Sequence, residues 1–202
     1  MPNRPSEISP FAAVIAHQMR DYETWINGFN KHEDTRRELG ILGHHINRTV
    51  EHPDVVRLYI PCLYRAPVAA FLASDQYRSL MKEYGASSVQ TVTWLRPLRT
   101  SIFRERQLPC VVVTQQVSNV DTWLEQYDAD TEARSAAGIL GDVVNQMADE
   151  PSVLAVYYQA ETFAELRTFI NLPDQLERMP KEGPYGERQV SYQVGEFGIR
   201  YS

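Results

Sequence analysis

The sequence predicts an α+β protein in which one βαββαβ unit occurs twice in tandem. Sliding the 202-residue chain against itself by 98 positions aligns one half with the other without a gap. The run Gly40-Ile41-Leu42-Gly43 then falls on Gly138-Ile139-Leu140-Gly141. About fifteen of roughly ninety aligned positions are identical, with apolar residues matched between them, which is typical of an internal repeat.

Hydrophobic spacing predicts the first four elements of a copy. Ala12 to Met19 is a short apolar run, typical of a strand. Asp21 offers an N-cap for one amphipathic helix that ends at Gly40. Alternating residues over His44 to Val50 and over Val55 to Ile60 predict two strands, joined by an acidic turn that contains proline.

The copy is completed by a second helix and a last strand. Apolar spacing over Pro67 to Glu83 predicts the helix, broken or bent near Ser74, and Val89 to Leu95 predicts the strand. This order is the ferredoxin-like arrangement. Each helix carries one apolar stripe, so both helices should cover the same face of the sheet. Because the strands are apolar on both sides, we expect the two units to pack sheet to sheet.

The predicted domains follow from the repeat. Residues 10–98 should form the first ferredoxin-like unit and residues 109–202 the second. The segment 99–108 between them is charged, as expected of an exposed linker.

Composition excludes several classes of function. The net charge is −6 and the sequence pI is about 5.4, so no basic field exists to bind nucleic acid. No run approaches the roughly 20 apolar residues that span a bilayer. Two cysteines, Cys62 and Cys110, occupy non-equivalent positions in the copies, and we expect free thiols in a reducing cytoplasm.

Period-two alternation sorts the strand residues between two faces. Val56, Leu58 and Ile60 should lie under the helices. The face toward the other sheet is assigned to Val14, Ala16, Gln18, His45, Asn47, Thr49, Arg57, Tyr59, Gln90, Val92 and Trp94, and to Val112, Thr114, Gln116, Val143, Asn145, Met147, Ala155, Tyr157, Arg188, Val190 and Tyr192. This mixture of polar and small apolar groups is typical of a small-molecule pocket. It would also suit a wet interface in which the polar groups bond one another.

Several motifs carry a resemblance to a known superfamily. They are Asp21-Tyr22-Glu23-Thr24-Trp25, His32-Glu33, Arg36-Arg37, Gly40-Ile41-Leu42-Gly43-His44, Phe71-Leu72-Ala73-Ser74, Met81, Val92 and Trp94. With them the first copy, and more faintly the second, resembles the dimeric α+β barrel superfamily, which includes antibiotic-biosynthesis monooxygenases, polyketide cyclases, muconolactone isomerases and haem-degrading enzymes. The resemblance implies that the tandem copies form an intrachain dimeric α+β barrel.

Candidate site residues come from the assigned face. His45 is the candidate base, because an imidazole in a half-dry pocket titrates near neutrality. Arg57 and Asn47 would stabilise an oxyanion, and Tyr59 and Trp94 would clamp a ring. Further substrate-binding candidates are Gln18, Gln116, Asn145, Tyr157, Tyr192 and Arg188.

The two copies differ at the candidate base and at the candidate arginine. Val143 stands opposite His45 in the alignment, and Ala155 stands opposite Arg57. This asymmetry indicates either that only one copy carries a functional site or that the two positions diverged without functional consequence.

Other histidines receive structural interpretations. His17 should be a core histidine on the helix side, and His32 should be solvated or capping. No zinc spacing and no phosphate-binding glycine loop is present. The haem-degrading relatives imply an asparagine on the first strand, where this chain has Gln18, so haem is not expected.

The sequence leaves three hypotheses open. The first is a cofactor-independent enzyme acting on a small aromatic or polyketide-like substrate, as a monooxygenase or as a cyclase or isomerase through an enolate. The second is a non-catalytic small-molecule-binding or accessory protein. The third is a structural pseudo-dimer without a cavity. We expect no metal, no membrane partner and either a monomer or a homodimer.

Overall fold

A computed structural model of the chain describes residues 9–86, 91–102, 106–178, 182–183 and 186–201. The elements up to residue 101 are β1 (Phe11–Gln18), α1 (Tyr22–Asn30), α2 (Glu33–Glu38), β2 (Gly43–Thr49), β3 (Val55–Cys62), α3 (Arg65–Leu72), α4 (Asp75–Glu83) and β4 (Thr91–Ser101). The later elements are β5 (Pro109–Gln116), α5 (Val120–Ala129), α6 (Thr131–Ala136), β6 (Gly141–Met147), β7 (Val153–Gln159), α7 (Phe163–Phe169), α8 (Pro173–Arg178), β8 (Glu182–Gly183), β9 (Gly186–Glu187) and β10 (Gln189–Arg200). The α+β class is confirmed, and β5, α6 and β6 begin 98 residues after β1, α2 and β2.

The helix predicted from Asp21 to Gly40 is in fact two helices. Asp21 is the N-cap of α1, and its carboxylate accepts a hydrogen bond from the Thr24 backbone N–H at 2.7 Å. The chain leaves the helix at Lys31 and re-enters it at Glu33. The prediction of one helix was wrong because the sequence marks this break poorly: Lys31 is a good helix former, and neither Gly nor Pro lies between α1 and α2. The bend predicted near Ser74 is confirmed, since Ser74 caps α4.

The described chain divides into two compact units. The first unit comprises residues 9–96 and 195–201, and its strands are ordered β4, β1, β3, β2 and the end of β10. The second unit comprises residues 97–194, with strands ordered β10, β5, β7, β6 and the end of β4. β4 runs through residues 99–101 of the predicted linker. The predicted packing of the two sheets on one another stays a prediction.

Strand register in the first unit confirms the faces assigned to β2 and β3. His45 lies opposite Tyr59, and Asn47 lies opposite Arg57, in antiparallel pairing. Directly paired residues share a face, so these four side chains lie together. Val56, Leu58 and Ile60 point to the opposite side, which the helices cover; we call this side the helix face.

The faces assigned to the last strand of each copy were wrong by one residue. Trp94 pairs with Ala13, which also pairs with Ile60, so Val92 and Trp94 lie on the helix face. In the second unit Tyr192 pairs with Val111 of the core, which places Arg188, Val190 and Tyr192 on the helix face too. On this face Trp94 is buried, whereas Val190 remains 37% exposed. Gln90 lies outside the described residues.

Candidate functional site

A cavity lies between the sheet and the helices of the first unit. Its enclosed volume is about 60 Å³, and the figure rises to about 600 Å³ only when all the empty space around it, open solvent included, is counted. Its apolar walls are formed by Ile15, Phe29, Ile41, Leu58, Ile60, Val68, Phe71, Leu72, Leu80 and Met81. Its polar members are His17, Trp25, His32, Thr35, Arg36, Tyr77 and Tyr84. Mostly apolar walls with a few polar groups are the usual lining of a small-molecule site, and we call this space the first-unit cavity.

His17 brings an unpaired imidazole to the first-unit cavity. Its place on β1 pairs it with Val56 on the helix face, and it is only 3% exposed. Neither ring nitrogen has a hydrogen-bond partner within the described residues, and the same holds for the indole nitrogen of Trp25, whose ring is 5.5 Å away. Burial lowers the pKa of His17 to about 4, so the imidazole is neutral at pH 7. Unpaired buried polar groups are costly. The second unit also has them, at Trp123 Nε1 and at the hydroxyls of Tyr127 and Tyr158, so the histidine distinguishes the first unit.

Tyr84 and His32 close one side of the same cavity. The Tyr84 hydroxyl oxygen lies 2.9 Å from His32 Nε2, in a hydrogen bond whose direction depends on the tautomer. The Tyr84 ring packs directly on Gly28, where a Cβ atom would come within 2.3 Å of the ring. The absence of a side chain at Gly28 therefore lets α1 lie against the Tyr84 ring, with the Tyr84 hydroxyl directed toward His32. His32 is half-exposed and lies at the N-cap position of α2, where its side chain makes no cap hydrogen bond, and it also lines the cavity.

Arg36 supplies a buried positive charge. It is 7% exposed on α2, and its guanidinium carbon lies 3.8 Å from the centre of the Phe29 ring. Its Nε donates to the Tyr201 hydroxyl oxygen at 2.6 Å, and its Nη1 donates to the main-chain oxygen of Phe29. The Tyr201 hydroxyl is also 2.9 Å from Nδ1 of His44. Burial, and next the charge of Arg36, lower the pKa of His44 to about 4.

The second unit fills the corresponding space with side chains. Tyr158 stands where the first unit has Ile60, and Tyr127 stands where it has Phe29; both tyrosines are almost fully buried. They belong to one hydrophobic cluster with Trp123 and the apolar residues of α7. Both tyrosines are larger than the residues they stand for, so they fill more of the space between the sheet and the helices.

Four predicted site residues share one face of the first-unit sheet, away from the cavity. They are His45, Asn47, Arg57 and Tyr59. The His45 ring packs on Gly198, where a Cβ atom would lie 2.5 Å from Nδ1. Burial lowers the pKa of Arg57 and raises the pKa of Tyr59. Their catalytic roles stay predictions.

Two predicted glutamines bind the turns beside them. Gln18 donates to the Asp54 carboxylate, and Gln116 donates to the Ser152 hydroxyl at 3.0 Å. Asp54 and Ser152 are 98 residues apart, so both copies have the same hydrogen bond between a strand and a turn. These contacts give the two glutamines a structural role.

The remaining predicted residues are dispersed. Asn145 and Tyr157 are buried on the side of the second-unit sheet away from its helices, where Tyr157 packs with Cys110. Tyr192 contacts Phe163, with 6.0 Å between ring centres. The other two are Trp94, which lies under the Arg65 guanidinium, and Arg188, which donates to the Ile170 oxygen at 2.8 Å. None of them lines the first-unit cavity.

Sequence reasoning missed the residues that line the first-unit cavity. It placed His17 correctly on the helix face but interpreted it as a satisfied core residue. The 98-residue alignment holds the missing signal, because Gln115 replaces His17 and Asp142 replaces His44. Such polar replacements at buried positions distinguish the two copies.

Other features of the described residues bear on metal and redox chemistry. Cys62 and Cys110 are buried free thiols, as predicted. Within the described ranges no three His, Cys, Asp or Glu side chains are grouped so that they could hold a metal ion. No helix in the same ranges is long and apolar enough to cross a membrane.

Comparisons with known proteins establish a likeness of fold. No family model matches the chain, and no curated protein matches it in sequence. A proposed monooxygenase from Lactobacillus acidophilus superposes with a TM-score of 0.67 at 12% identity, with 95% of this chain and 96% of that one covered. An anthrone oxidase-like protein gives a TM-score of 0.62 at 12% identity over 96% and 95% of the chains. A haem-degrading enzyme from Listeria monocytogenes gives 0.51 at 8% identity over 90% and 98%. The predicted resemblance to the superfamily is thereby confirmed as a likeness of fold.

Proposed function

We propose that the chain is an enzyme that oxygenates a small aromatic substrate in the first-unit cavity without a cofactor. One observation carries the proposal. His17 and Trp25, whose side-chain nitrogens have no hydrogen-bond partner within the described residues, are among the residues that line a mostly apolar cavity. A planar ring would bury its faces against these walls, and its polar substituents would supply the missing partners. The fold of the superposed proteins supports the general class.

The residues of the cavity suit the roles that such a reaction needs. His17 is neutral at pH 7 and can accept a proton from an activated C–H or O–H group. Arg36 can hold the oxygen on which negative charge develops. In the balanced reaction R₂CH₂ + O₂ gives R₂C=O + H₂O; the substrate methylene loses two hydrogens, one oxygen atom forms the carbonyl and the other leaves as water.

The predicted set of His45, Asn47 and Arg57 remains a competing proposal for the catalytic residues. These side chains share a face and include a histidine and an arginine, so their chemistry is similar to that of His17 and Arg36. They do not line the first-unit cavity. Variants at His17 and His45 therefore separate the two proposals.

Oxygen uptake with anthrone tests the proposal, with anthrone chosen because one superposed protein is described as anthrone oxidase-like. The wild-type chain should consume one O₂ per anthrone and form anthraquinone. His17→Gln, which introduces the residue of the second copy, should lower kcat about a hundredfold. The reciprocal Gln115→His in the second unit is the matched control and should leave kcat unchanged.

Two further variants complete the test. Ile60→Tyr should fill the cavity as Tyr158 does in the second unit and abolish turnover. Loss of turnover in His45→Ala, with His17→Gln fully active, would overturn the assignment of the site to the first-unit cavity.

A non-catalytic binding function is the second candidate. The neutral imidazole of His17 can also hydrogen-bond a ligand without any proton being abstracted. This function predicts that anthrone binds, as measured by calorimetry, without oxygen uptake above the uncatalysed rate. Ile60→Tyr would again remove binding.

A further inference from the structure

The two units contain the same buried arginine in nearly the same setting. Arg36 is 7% exposed and Arg134 is 5% exposed. Their guanidinium carbons lie 3.8 Å and 3.7 Å from the ring centres of Phe29 and Tyr127. Each Nη1 donates to the main-chain oxygen of that same aromatic residue. The repeat has thus conserved the position of a buried positive charge within this one chain.

The units differ in what neutralises that charge. In the second unit Arg134 Nε pairs with the Asp142 carboxylate at 2.9 Å. The residue 98 positions before Asp142 is His44, which burial keeps neutral at pH 7. Arg36 Nε instead donates to the hydroxyl of Tyr201. A carboxylate has therefore been replaced by two neutral groups.

Glu33, an acidic residue of the same helix, is already engaged by another arginine. Glu33 accepts from Arg37 Nε at 2.9 Å and lies 2.8 Å from its Nη2. Within the described residues, Arg36 makes no hydrogen bond to a carboxylate, and its Nη2 makes no hydrogen bond at all. Buried charges are normally paired, because removing a charge from water is costly. Arg36 is among the residues that line the first-unit cavity, so an anionic group of a ligand there would lie close to it.

We propose that the ligand of the first-unit cavity is an anionic aromatic compound whose acidic oxygen pairs with the Arg36 guanidinium. This inference rests on the proposed function for the location of the site and deepens it by naming the substrate class. The oxygen can belong to a carboxylate or to an ionised phenol or enol, which share planar geometry and hydrogen-bond acceptance. A neutral aromatic of the same shape leaves Arg36 unpaired and binds more weakly.

Isothermal calorimetry with matched naphthalene compounds tests the charge preference. At pH 7, 2-naphthoate should bind at least tenfold tighter than 2-naphthamide, which has nearly the same shape and no charge. 2-Naphthol separates the two sources of the oxygen. If phenolates are accepted, its affinity should rise as it ionises between pH 7 and pH 10, whereas a carboxylate-specific site gives no rise.

The second unit supplies the decisive variant, His44→Asp, which should neutralise Arg36 as Asp142 neutralises Arg134. We expect the preference for naphthoate over naphthamide to disappear while naphthamide still binds. His44→Asn, which adds no charge, is the matched control and should keep the preference. Because the second unit already accommodates this pair, the variant is compatible with the fold.

The outcomes separate this inference from the proposed function. Equal affinity of the wild-type chain for naphthoate and naphthamide, or an unchanged preference in His44→Asp, would overturn the anion inference alone. A preference for naphthoate without anthrone oxidation would overturn the oxygenase function and leave the anion inference standing. Failure of all three probes to bind would overturn the anion inference, and absence of anthrone binding and oxidation as well would overturn both.

Discussion

The neutral hydroxyl of Tyr201 accepts a hydrogen bond from Arg36 Nε at 2.6 Å, although the two residues are 165 positions apart in the sequence. The contact belongs to one compact unit, because residues 195–201 join residues 9–96 there. The same hydroxyl lies 2.9 Å from His44 Nδ1. Tyr201 therefore connects the end of the chain to the arginine of the first-unit cavity.

Replacing Tyr201 with Phe should destabilise the protein by about 1 to 3 kcal/mol, because a buried charged donor loses its acceptor. Urea unfolding followed by circular dichroism measures the change. The comparison variant is Asp142→Ala, which removes the carboxylate from Arg134 and should cost more, about 3 to 5 kcal/mol. An equal loss of stability in the two variants would contradict the expectation that an uncharged hydroxyl stabilises a buried arginine less than a carboxylate does.

Replacing Gly28 with Ala tests how closely α1 approaches Tyr84. Alanine favours a helix over glycine by about 1 kcal/mol. We nevertheless expect a net loss of about 1 to 3 kcal/mol, because the new Cβ would lie 2.3 Å from the Tyr84 ring and force it to move. Urea unfolding gives the stability, and anthrone binding shows whether the cavity changes shape.

The equivalent residue in the second copy provides the control for that variant. Gln126 is exposed on α5, so Gln126→Ala meets no side chain and should change stability by less than about 0.5 kcal/mol. A stabilised Gly28→Ala protein would show that the Tyr84 ring can move at little cost.

The sequence predicted the order of elements because apolar periodicity and capping residues are local signals. The N-cap at Asp21 and the bend at Ser74 follow directly from residue chemistry. Strand register is set by partners elsewhere in the chain, and an error of one residue moves a side chain to the other face. That is why Trp94 was assigned to the wrong side.

The candidate site was harder to predict than the fold. A buried histidine such as His17 looks the same in sequence whether or not it has a hydrogen-bond partner. The cavity itself depends on the difference in volume between Ile60 and Tyr158, and that difference matters only once helices cover both positions. Comparison of the two copies, residue by residue, is the way to find such a site from sequence.

Two buried histidines should make the stability of the protein depend on pH. Burial lowers the pKa values of His17 and His44 to about 4, below the value of about 6.5 for an unfolded chain. The unfolded state therefore binds protons first as the pH falls. The contribution of these histidines to the free energy of unfolding is greatest above about pH 6.5. It falls between there and about pH 4, by up to about 3 kcal/mol for each histidine.

His17→Gln isolates the contribution of one histidine to this profile. Urea unfolding at pH 7, 6, 5 and 4.5 should show a shallower decline for the variant than for the wild-type chain, because glutamine binds no proton at any of these values. Carboxylate titration affects both proteins equally and cancels in the difference. His52→Gln, at an exposed position in the turn between β2 and β3, should leave the profile unchanged. Parallel profiles for the wild-type chain and His17→Gln would mean that His17 is protonated as readily in the folded protein as in the unfolded one, and that its imidazole is open to water.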